Sequence, residues 1–256
     1  MSITEAERSR PAPGHSAGDE LTQFIAAARA AKRNTLSEPE AKQVLQAHGI
    51  AVPTGRVVVE PEQAAAVVQE IAPPVVIKAV AHNLTHKTDA GGVIFPVYSA
   101  AEAEAACRTM RTQIRAAAPG VILQGFLIEA YRPAQPEWIL ALRMDPHFGA
   151  VIMFGLGGIY VDVLRQVSFR LAPLRRQDAE ALLSEKPAMR ILDGVRGSKP
   201  TDRAALVETI LRLSDLAAHP AVARDVSDIE INPLVASEEG VLALDALIVL
   251  RPQEFS

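Results

Sequence analysis

The sequence predicts an α+β fold, because helical and extended segments alternate without the sustained strand–helix–strand rhythm of a doubly wound sheet. The chain has 256 residues, of which 49% are hydrophobic and 22% are charged. This composition is typical of a globular protein. The length is sufficient for one large domain or for two small lobes with a shared core.

The first fifty residues predict a tail followed by two helices. Residues 1–18 are rich in Ser, Pro, Gly and Arg and have no apolar period, which indicates a flexible tail. From Asp19 onward, apolar residues recur at helical spacing. Ser37 and Glu40 form a capping-box pattern, so a second helix is predicted to begin there and to end at Gly49.

The remaining elements are predicted from hydrophobic periodicity and from turn residues. Helices are predicted at 61–71, 100–117, 176–183 and 202–218. Strands are predicted at 56–59, 75–80, 91–97, 121–129, 138–144, 150–154, 167–171, 226–231, 233–236 and 241–250. This order favours α+β lobes over a parallel sheet with helices on both faces.

Composition also argues against several classes of protein. The formal net charge is −4 with both signs interspersed, so the basic stripe of a nucleic-acid-binding domain is missing. The single cysteine, Cys107, lies in a predicted helix and is interpreted as a small buried residue. Because the sequence shows neither an apolar leader nor a run of about 18 apolar residues, a cytoplasmic protein without a membrane span is predicted.

Two neighbouring segments carry cations suited to phosphate. Lys78 stands near the end of an apolar strand, where a buried ammonium needs an anionic partner, either a ligand or a carboxylate of the chain. His86 and Lys87 precede Gly91 and Gly92. Glycines let backbone N–H groups turn toward phosphate oxygens, and neutral imidazole is a nucleophile. An ordinary hairpin turn is the alternative, and the P-loop pattern is absent.

A second glycine-rich segment, Phe154–Asp162, contains Gly155, Gly157 and Gly158. It lacks the G-x-G-x-x-G spacing and a following helical pattern, which disfavours a Rossmann dinucleotide site. Glycines beside apolar strands indicate a tight loop that a ligand or another backbone approaches closely. Asp162 could help to hold a metal or a substrate group, or it could belong to a solvated turn.

The C-terminal strands bring oxygen ligands onto one face. Alternation places Asp228, Glu230 and Asn232 on the same side of a strand, and the following turn predicts a hairpin with 241–250. Asn232 and Asp245 could then face each other. Mg²⁺ is usually held by one or two such side chains together with waters and phosphate oxygens. A capped or paired carboxylate is the alternative for Asp245.

Taken together, these motifs resemble the β subunit, or β-type domain, of NDP-forming acyl-CoA synthetases. ADP-forming acetyl-CoA synthetases are the best-known members, and succinyl-CoA synthetase is a more distant relative. The similar stretches are LSEPEAKQVLQAHGIAVP, VVIKAVAHNLTHKTDAGGV, DPHFGAVIMFGLGGIYVDVL, FRLAPL, GVRG, and DIEINPLV with ALDALIVL. The resemblance implies an ATP-grasp fold whose two lobes, expected at 19–120 and 121–256, clamp a nucleotide.

The resemblance also implies the roles of individual residues. His86 would relay the phosphoryl group, with Lys87 and Arg170 as further catalytic residues. Asn232 and Asp245 would bind Mg²⁺. The implied contacts to ATP or ADP are Lys78, Gly91, Gly92, Glu129, Ala130, Tyr131, Glu137, Gly157, Gly158 and Asp162.

In this family an acid, CoA and ATP give acyl-CoA, ADP and phosphate reversibly, through acyl phosphate and phosphohistidine. CoA binding and acyl transfer belong to an α part, for which the sequence leaves no room. The resemblance therefore implies a separate α subunit and a hetero-oligomer, without a nucleic acid or membrane partner.

The sequence departs from the family pattern in two places. Residues 129–136, EAYRPAQP, are not the usual hinge, and Asp162, Arg165 and Gln166 stand where relatives often have Glu, Lys and Asp. Two other functions remain open. One is an ATP-grasp carboxylate ligase without a phosphohistidine, and the other is a nucleotide-binding regulatory module without turnover.

Overall fold

A computed structural model describes residues 17–81, 87–88, 90–133, 136–158, 166–194 and 199–252. Its helices are α1 Ala17–Ala30, α2 Glu38–Ala47, α3 Ala64–Ile71, α4 Ala100–Ala117, α5 Arg176–Glu185, α6 Arg203–Leu216 and α7 Pro220–Asp225, with 3₁₀ turns at Pro61–Gln63 and Pro187–Asp193. Its strands are β1 Gly55–Val58, β2 Val75–Ala81, β3 Val93–Val97, β4 Leu123–Ala130, β5 Glu137–Asp145, β6 Gly149–Leu156, β7 Val167–Leu171, β8 Val226–Ser237, β9 Gly240–Ala243 and β10 Ala246–Leu250. None of these helices is long and apolar enough to cross a membrane.

The chain divides into two compact units. The large unit comprises Met1–Val52 and Ala134–Ser256, and the small unit comprises Pro53–Pro133. This division differs from the predicted boundary after residue 120, because β4 pairs with β1 and β2 and so belongs to the small unit. The N-terminal helices belong to the large unit, where Thr35 forms a β-bridge with Val249.

The small unit is built on an antiparallel sheet with the strand order β1-β4-β2-β3. Helices α3 and α4 cover one face of this sheet, and the enclosed core includes Phe126, Ile128 and Met110. Helix α4 begins at Ser99, whose hydroxyl accepts the N–H of Glu102 at 3.2 Å. Cys107 is fully buried in this core, which confirms its interpretation as a small buried residue. Burial raises the pKa of its thiol to about 12.

The large unit contains a second antiparallel sheet, with the order β10-β8-β5-β6-β7 and β9 paired to β8. In β5, Trp138, Leu140 and Leu142 belong to the core formed with α1, α2, α5, α6 and α7. The intervening Ala141 and Arg143 point to the opposite face, because successive side chains of a strand alternate between its two faces. The α+β class predicted from the sequence is therefore confirmed.

The predicted capping box at the start of α2 is also confirmed. The N–H and hydroxyl of Ser37 donate to Glu40 Oε2 at 2.7 and 2.8 Å. Arg33 Nη1 and Nη2 donate to the same carboxylate at 2.9 and 3.0 Å. These contacts fix the entry into the helix. Most of the predicted tail, residues 1–16, lies outside the described residues, and α1 already begins at Ala17.

Candidate active site

A buried ion pair lies on the face of the small-unit sheet opposite α3 and α4. Lys78 Nζ is 3.0 Å from Glu129 Oε2, and the two side chains are only 10% and 2% exposed. Val76 is the register partner of Glu129, so Lys78 and Glu129 are diagonal neighbours on adjacent strands. Lys78 thus has a carboxylate of the chain as partner, which is the alternative to a ligand that the sequence left open.

The main chain at the end of β4 is already engaged within the small unit. The N–H groups of Ala130 and Tyr131 donate to Thr54 O at 2.9 Å and to Pro74 O at 3.0 Å. The Tyr131 ring stacks on Phe95 at 5.4 Å between centroids. A base contact from Ala130 or Tyr131 therefore has to use a carbonyl oxygen or a side chain.

The glycines before β3 are hydrogen-bonded within their own turn. Gly91 N–H donates to Thr88 O at 3.1 Å, and Gly92 N–H donates to Lys87 O at 2.6 Å. Gly91 has φ +72°, a backbone conformation that favours glycine. In this conformation the two glycines shape the turn and do not offer free N–H groups. The predicted phosphoryl acceptor, His86, lies outside the described residues.

The glycine turn after β6 holds the Glu137 side chain. Gly157 N–H donates to Glu137 O at 2.8 Å, and a Cβ at Gly157 would lie 2.7 Å from the Trp138 carbonyl carbon. Gly158 has φ +60°, and a Cβ there would overlap Glu137 Oε2. The predicted close approach at these glycines is confirmed. Burial raises the pKa of the Glu137 carboxyl. Asp162 lies outside the described residues.

The predicted metal ligands come together where β8 meets β9 and β10. Asn232 N–H donates to Asp245 O at 3.2 Å, so the two residues face each other as expected. Asn232 Nδ2 donates to Glu230 Oε1 at 3.4 Å, which leaves Asn232 Oδ1 for a cation. Strand alternation in the sequence placed Glu230 on the same face of the strand as Asn232. Glu230 was not one of the two predicted metal ligands.

An Mg²⁺ ion would fit these oxygen donors. Among the described residues, no group of three or more His, Cys, Asp or Glu side chains could hold a metal ion by itself. Asn232 carries a hard amide oxygen, and Asp245 carries a carboxylate whose Oδ1 accepts the N–H of Ala246 at 2.8 Å. Mg²⁺ commonly takes its other ligands from water and phosphate. The donor set therefore matches an ion that is bound together with a phosphorylated ligand.

Arg170 lies in β7 and lines an open concavity of about 410 Å³ in the large unit. Its guanidinium pairs with Glu185 at 2.7 Å, and this pairing holds the pKa of Glu185 below its usual value. We call this feature the sheet concavity. Its apolar surface is formed by Ala141, Phe148, Val151, Met153, Phe169 and Leu171.

Residues 27–250 match the model of the ATP-grasp domain, and the two antiparallel sheets with their helices agree with this class of protein. The chain is 40% identical over 220 residues to the β subunit of ADP-forming acetate–CoA ligase I from Pyrococcus furiosus, a match that covers 86% of this chain and 94% of the relative. The chain therefore belongs to the family of β subunits of ADP-forming acetate–CoA ligases.

Two further similarities agree with this assignment. ADP-forming acetate–CoA ligase I of Archaeoglobus fulgidus is 36% identical over 82% of this chain, but the match covers only 30% of that longer relative. A solved structure of acetyl-coenzyme A synthetase 1 from Ca. Korarchaeum cryptofilum, in complex with coenzyme A and Ca-AMPCP, has a TM-score of 0.85 and 34% identity. It covers 90% of this chain and 99% of that chain.

Proposed function

We propose that the chain binds Mg·ATP and transfers its terminal phosphoryl group within an ADP-forming acyl-CoA synthetase. The overall reaction would convert an acid, CoA and ATP into acyl-CoA, ADP and phosphate. The observation that carries the proposal is the main-chain hydrogen bond from Asn232 to Asp245, which places these two residues opposite each other where β8 meets the segment before β10. It is supported by similarity to a solved Ca. Korarchaeum cryptofilum synthetase described in complex with Mg-AMPPCP, with a phosphohistidine segment pointing towards its nucleotide-binding site.

The residues of this chain would act mainly by positioning and by neutralising charge. Lys78, Lys87 and Arg170 would supply cations, and Glu137 would contact the nucleotide beside the turn at Gly157 and Gly158. Asn232 and Asp245 would hold Mg²⁺, which neutralises phosphate charge when bound.

His86 would be the phosphoryl acceptor. Its imidazole nitrogen would attack the terminal phosphorus, an N–P bond would form, and the P–O bond to ADP would break. Residues 129–131 and Asp162 remain proposed nucleotide contacts. Gly91 and Gly92 are proposed to shape the loop that bears the acceptor.

We also infer that a separate α subunit supplies CoA binding and acyl transfer. The Pyrococcus furiosus relative is described as a β subunit and is matched over 94% of its length, whereas the longer Archaeoglobus fulgidus relative is matched over only 30%. The remaining functions of the longer protein would then reside in a partner chain, giving a hetero-oligomer in the cytoplasm. Co-purification of a CoA-binding chain, followed by a screen of carboxylic acids, would test this inference.

Incubation with γ-³²P-labelled ATP tests the proposed transfer. The expected result is an acid-labile, alkali-stable phosphate on the chain, and its chase into ATP by added ADP. An ATP-grasp carboxylate ligase without a phosphohistidine would give no such label. A regulatory module would bind Mg·ATP without labelling and without acid-dependent ADP release, even with the α subunit present.

Replacing Asp245 by asparagine is expected to raise the Mg²⁺ concentration needed for half-maximal labelling by about tenfold or more. The substitution removes the carboxylate from the proposed ligand pair, and neutral oxygens hold Mg²⁺ less firmly. Asp215→Asn, which removes an exposed carboxylate from α6, is the matched control and should leave the titration unchanged. An identical Mg²⁺ titration for Asp245→Asn would reject the metal assignment.

Substitution of Gly158 by alanine is expected to weaken Mg·ATP binding by about tenfold, equivalent to about 1.4 kcal/mol. The new Cβ would displace the Glu137 carboxylate. Gly149→Ala is the control, because Gly149 also has a positive φ, +77°, but a Cβ there meets nothing within 4 Å. Both variants should lose similar stability through backbone strain, and calorimetric titration should show weaker binding only for Gly158→Ala.

A further inference from the structure

The sheet concavity carries an unusual amount of exposed aromatic and aliphatic surface. Phe148, Phe169 and Leu171 are 70%, 54% and 57% exposed, and they surround the half-buried Val151 and Met153. Scattered exposed apolar residues are normal, but neighbouring ones around a cavity commonly mark a contact surface.

Three carboxylates and two guanidinium groups line the concavity, namely Asp145, Asp228, Glu230, Arg143 and Arg170. Arg143 forms an ion pair with Asp228 at 2.6 Å, and Arg170 forms one with Glu185 at 2.7 Å. The carboxylates of Asp228, and then of Glu230 and Asp145, raise the pKa of the Arg143 guanidinium by hydrogen bonding and charge attraction.

Asp145 is firmly held in its charged form. Its Oδ1 accepts the N–H groups of Phe148 at 3.0 Å and His147 at 2.8 Å, which lower the pKa of its carboxyl. The rim therefore has an excess of negative charge around an apolar floor.

Glu230 connects the concavity with a proposed metal ligand. Glu230 lines the concavity and also accepts the Asn232 side-chain amide at 3.4 Å. Asp228, Glu230 and Asn232 follow one another on the same face of β8, which is the face opposite the core of the large unit. A group bound in the concavity would thus reach the strand that positions the proposed Mg²⁺ ligand.

We propose that the sheet concavity docks a segment of the partner subunit in which apolar side chains are flanked by lysine or arginine. The apolar side chains would cover Phe148 and Phe169, and the cations would meet Asp145 and Glu230. This inference rests on the proposed function, because it locates the partner of that function on the chain. Complementary charge of this kind gives specificity and faster association more than raw affinity.

A pair of defined peptides tests the charge preference of the surface. One fluorescein-labelled heptapeptide alternates lysine with leucine or phenylalanine, and its counterpart carries glutamate in place of lysine. Fluorescence anisotropy is expected to show at least about tenfold tighter binding of the lysine peptide, decreasing as salt is added. Equal binding of both peptides would overturn the proposal.

Matched surface variants locate the binding. Phe169→Ser is expected to weaken binding of the lysine peptide at least about fivefold. Ile122→Ser, at a 79% exposed position of the small unit, should leave the affinity for this peptide unchanged. Equal effects of both variants would contradict docking in the concavity. Circular dichroism confirms that each variant is folded.

A photo-cross-linking amino acid at position 169 identifies the occupant in the complex with the co-purified CoA-binding subunit. The expected adduct joins position 169 to an apolar and basic segment of that subunit, and the same probe at position 122 gives none. A cross-link to a second copy of this chain, or no adduct while the complex forms, would overturn the proposal. Failure of the proposed function would appear separately, as an absence of acid-labile phosphate on the chain. The peptide comparison would still show whether the sheet concavity prefers a basic partner.

Discussion

Replacement of Lys78 by methionine is expected to abolish acyl-CoA formation and to destabilise the small unit by about 3 to 5 kcal/mol. The substitution removes the ammonium that lies 3.0 Å from Glu129 and leaves a carboxylate that is only 2% exposed. Breaking a buried ion pair costs more than the pair contributes, because the remaining charge stays desolvated. Urea unfolding followed by far-UV circular dichroism measures the change in stability.

A double variant separates the structural role of Lys78 from its proposed role with phosphate. Lys78→Met combined with Glu129→Gln removes both charges of the pair, so most of the lost stability should return. The double variant should still fail to bind Mg·ATP and to turn over, because it has no cation at position 78 to contact the phosphates. Recovery of turnover in the double variant would show that Lys78 only balances Glu129.

Substitution of His86 by alanine is expected to eliminate the acid-labile phosphate and all turnover while Mg·ATP binding stays within about twofold of the original value. The imidazole would be the acceptor of the phosphoryl group, whereas nucleotide affinity would come from other residues. Labelling of the isolated chain with γ-³²P-labelled ATP and calorimetric titration measure the two properties. His147→Ala removes an exposed histidine and serves as the control.

Undiminished labelling of the His86→Ala variant would reject the relay role. Labelling that persists but moves to another residue, identified by mass spectrometry, would also reject it. Loss of both labelling and Mg·ATP binding would instead assign His86 to nucleotide binding.

Features with a local cause were predictable from the sequence. The Ser37–Glu40 capping box follows from a three-residue spacing, and its hydrogen bonds are present. The facing of Asn232 and Asp245 follows from strand alternation and a short turn, both of which sequence patterns reveal.

Features that depend on distant pairing were not predictable. The boundary of the small unit is set by β4, whose apolar pattern does not indicate which sheet it joins. The ion pair of Lys78 with Glu129 depends on the register between β2 and β4. The sheet concavity depends in the same way on how β5, β6, β7 and β8 are aligned.

The predicted strand 241–250 is in fact two strands, and the difference is informative. Its first part pairs with β8 at Leu234↔Ala243, and its second part pairs at Ile231↔Ala246. Leu244 and Asp245 between them interrupt the ladder opposite Asn232 and Pro233. The largely apolar run hides this break, which lies opposite Pro233, a residue of the partner strand that has no N–H to donate.

The deep burial of Cys107 has a practical consequence for spectroscopy. It is the single cysteine of the sequence, and its thiol, with a pKa of about 12, is almost entirely protonated at neutral pH. Maleimide dyes react with the thiolate form, so they should not label Cys107 in the folded protein. A cysteine introduced at an exposed position such as Ile122 would then accept a fluorophore alone, without prior removal of the native residue.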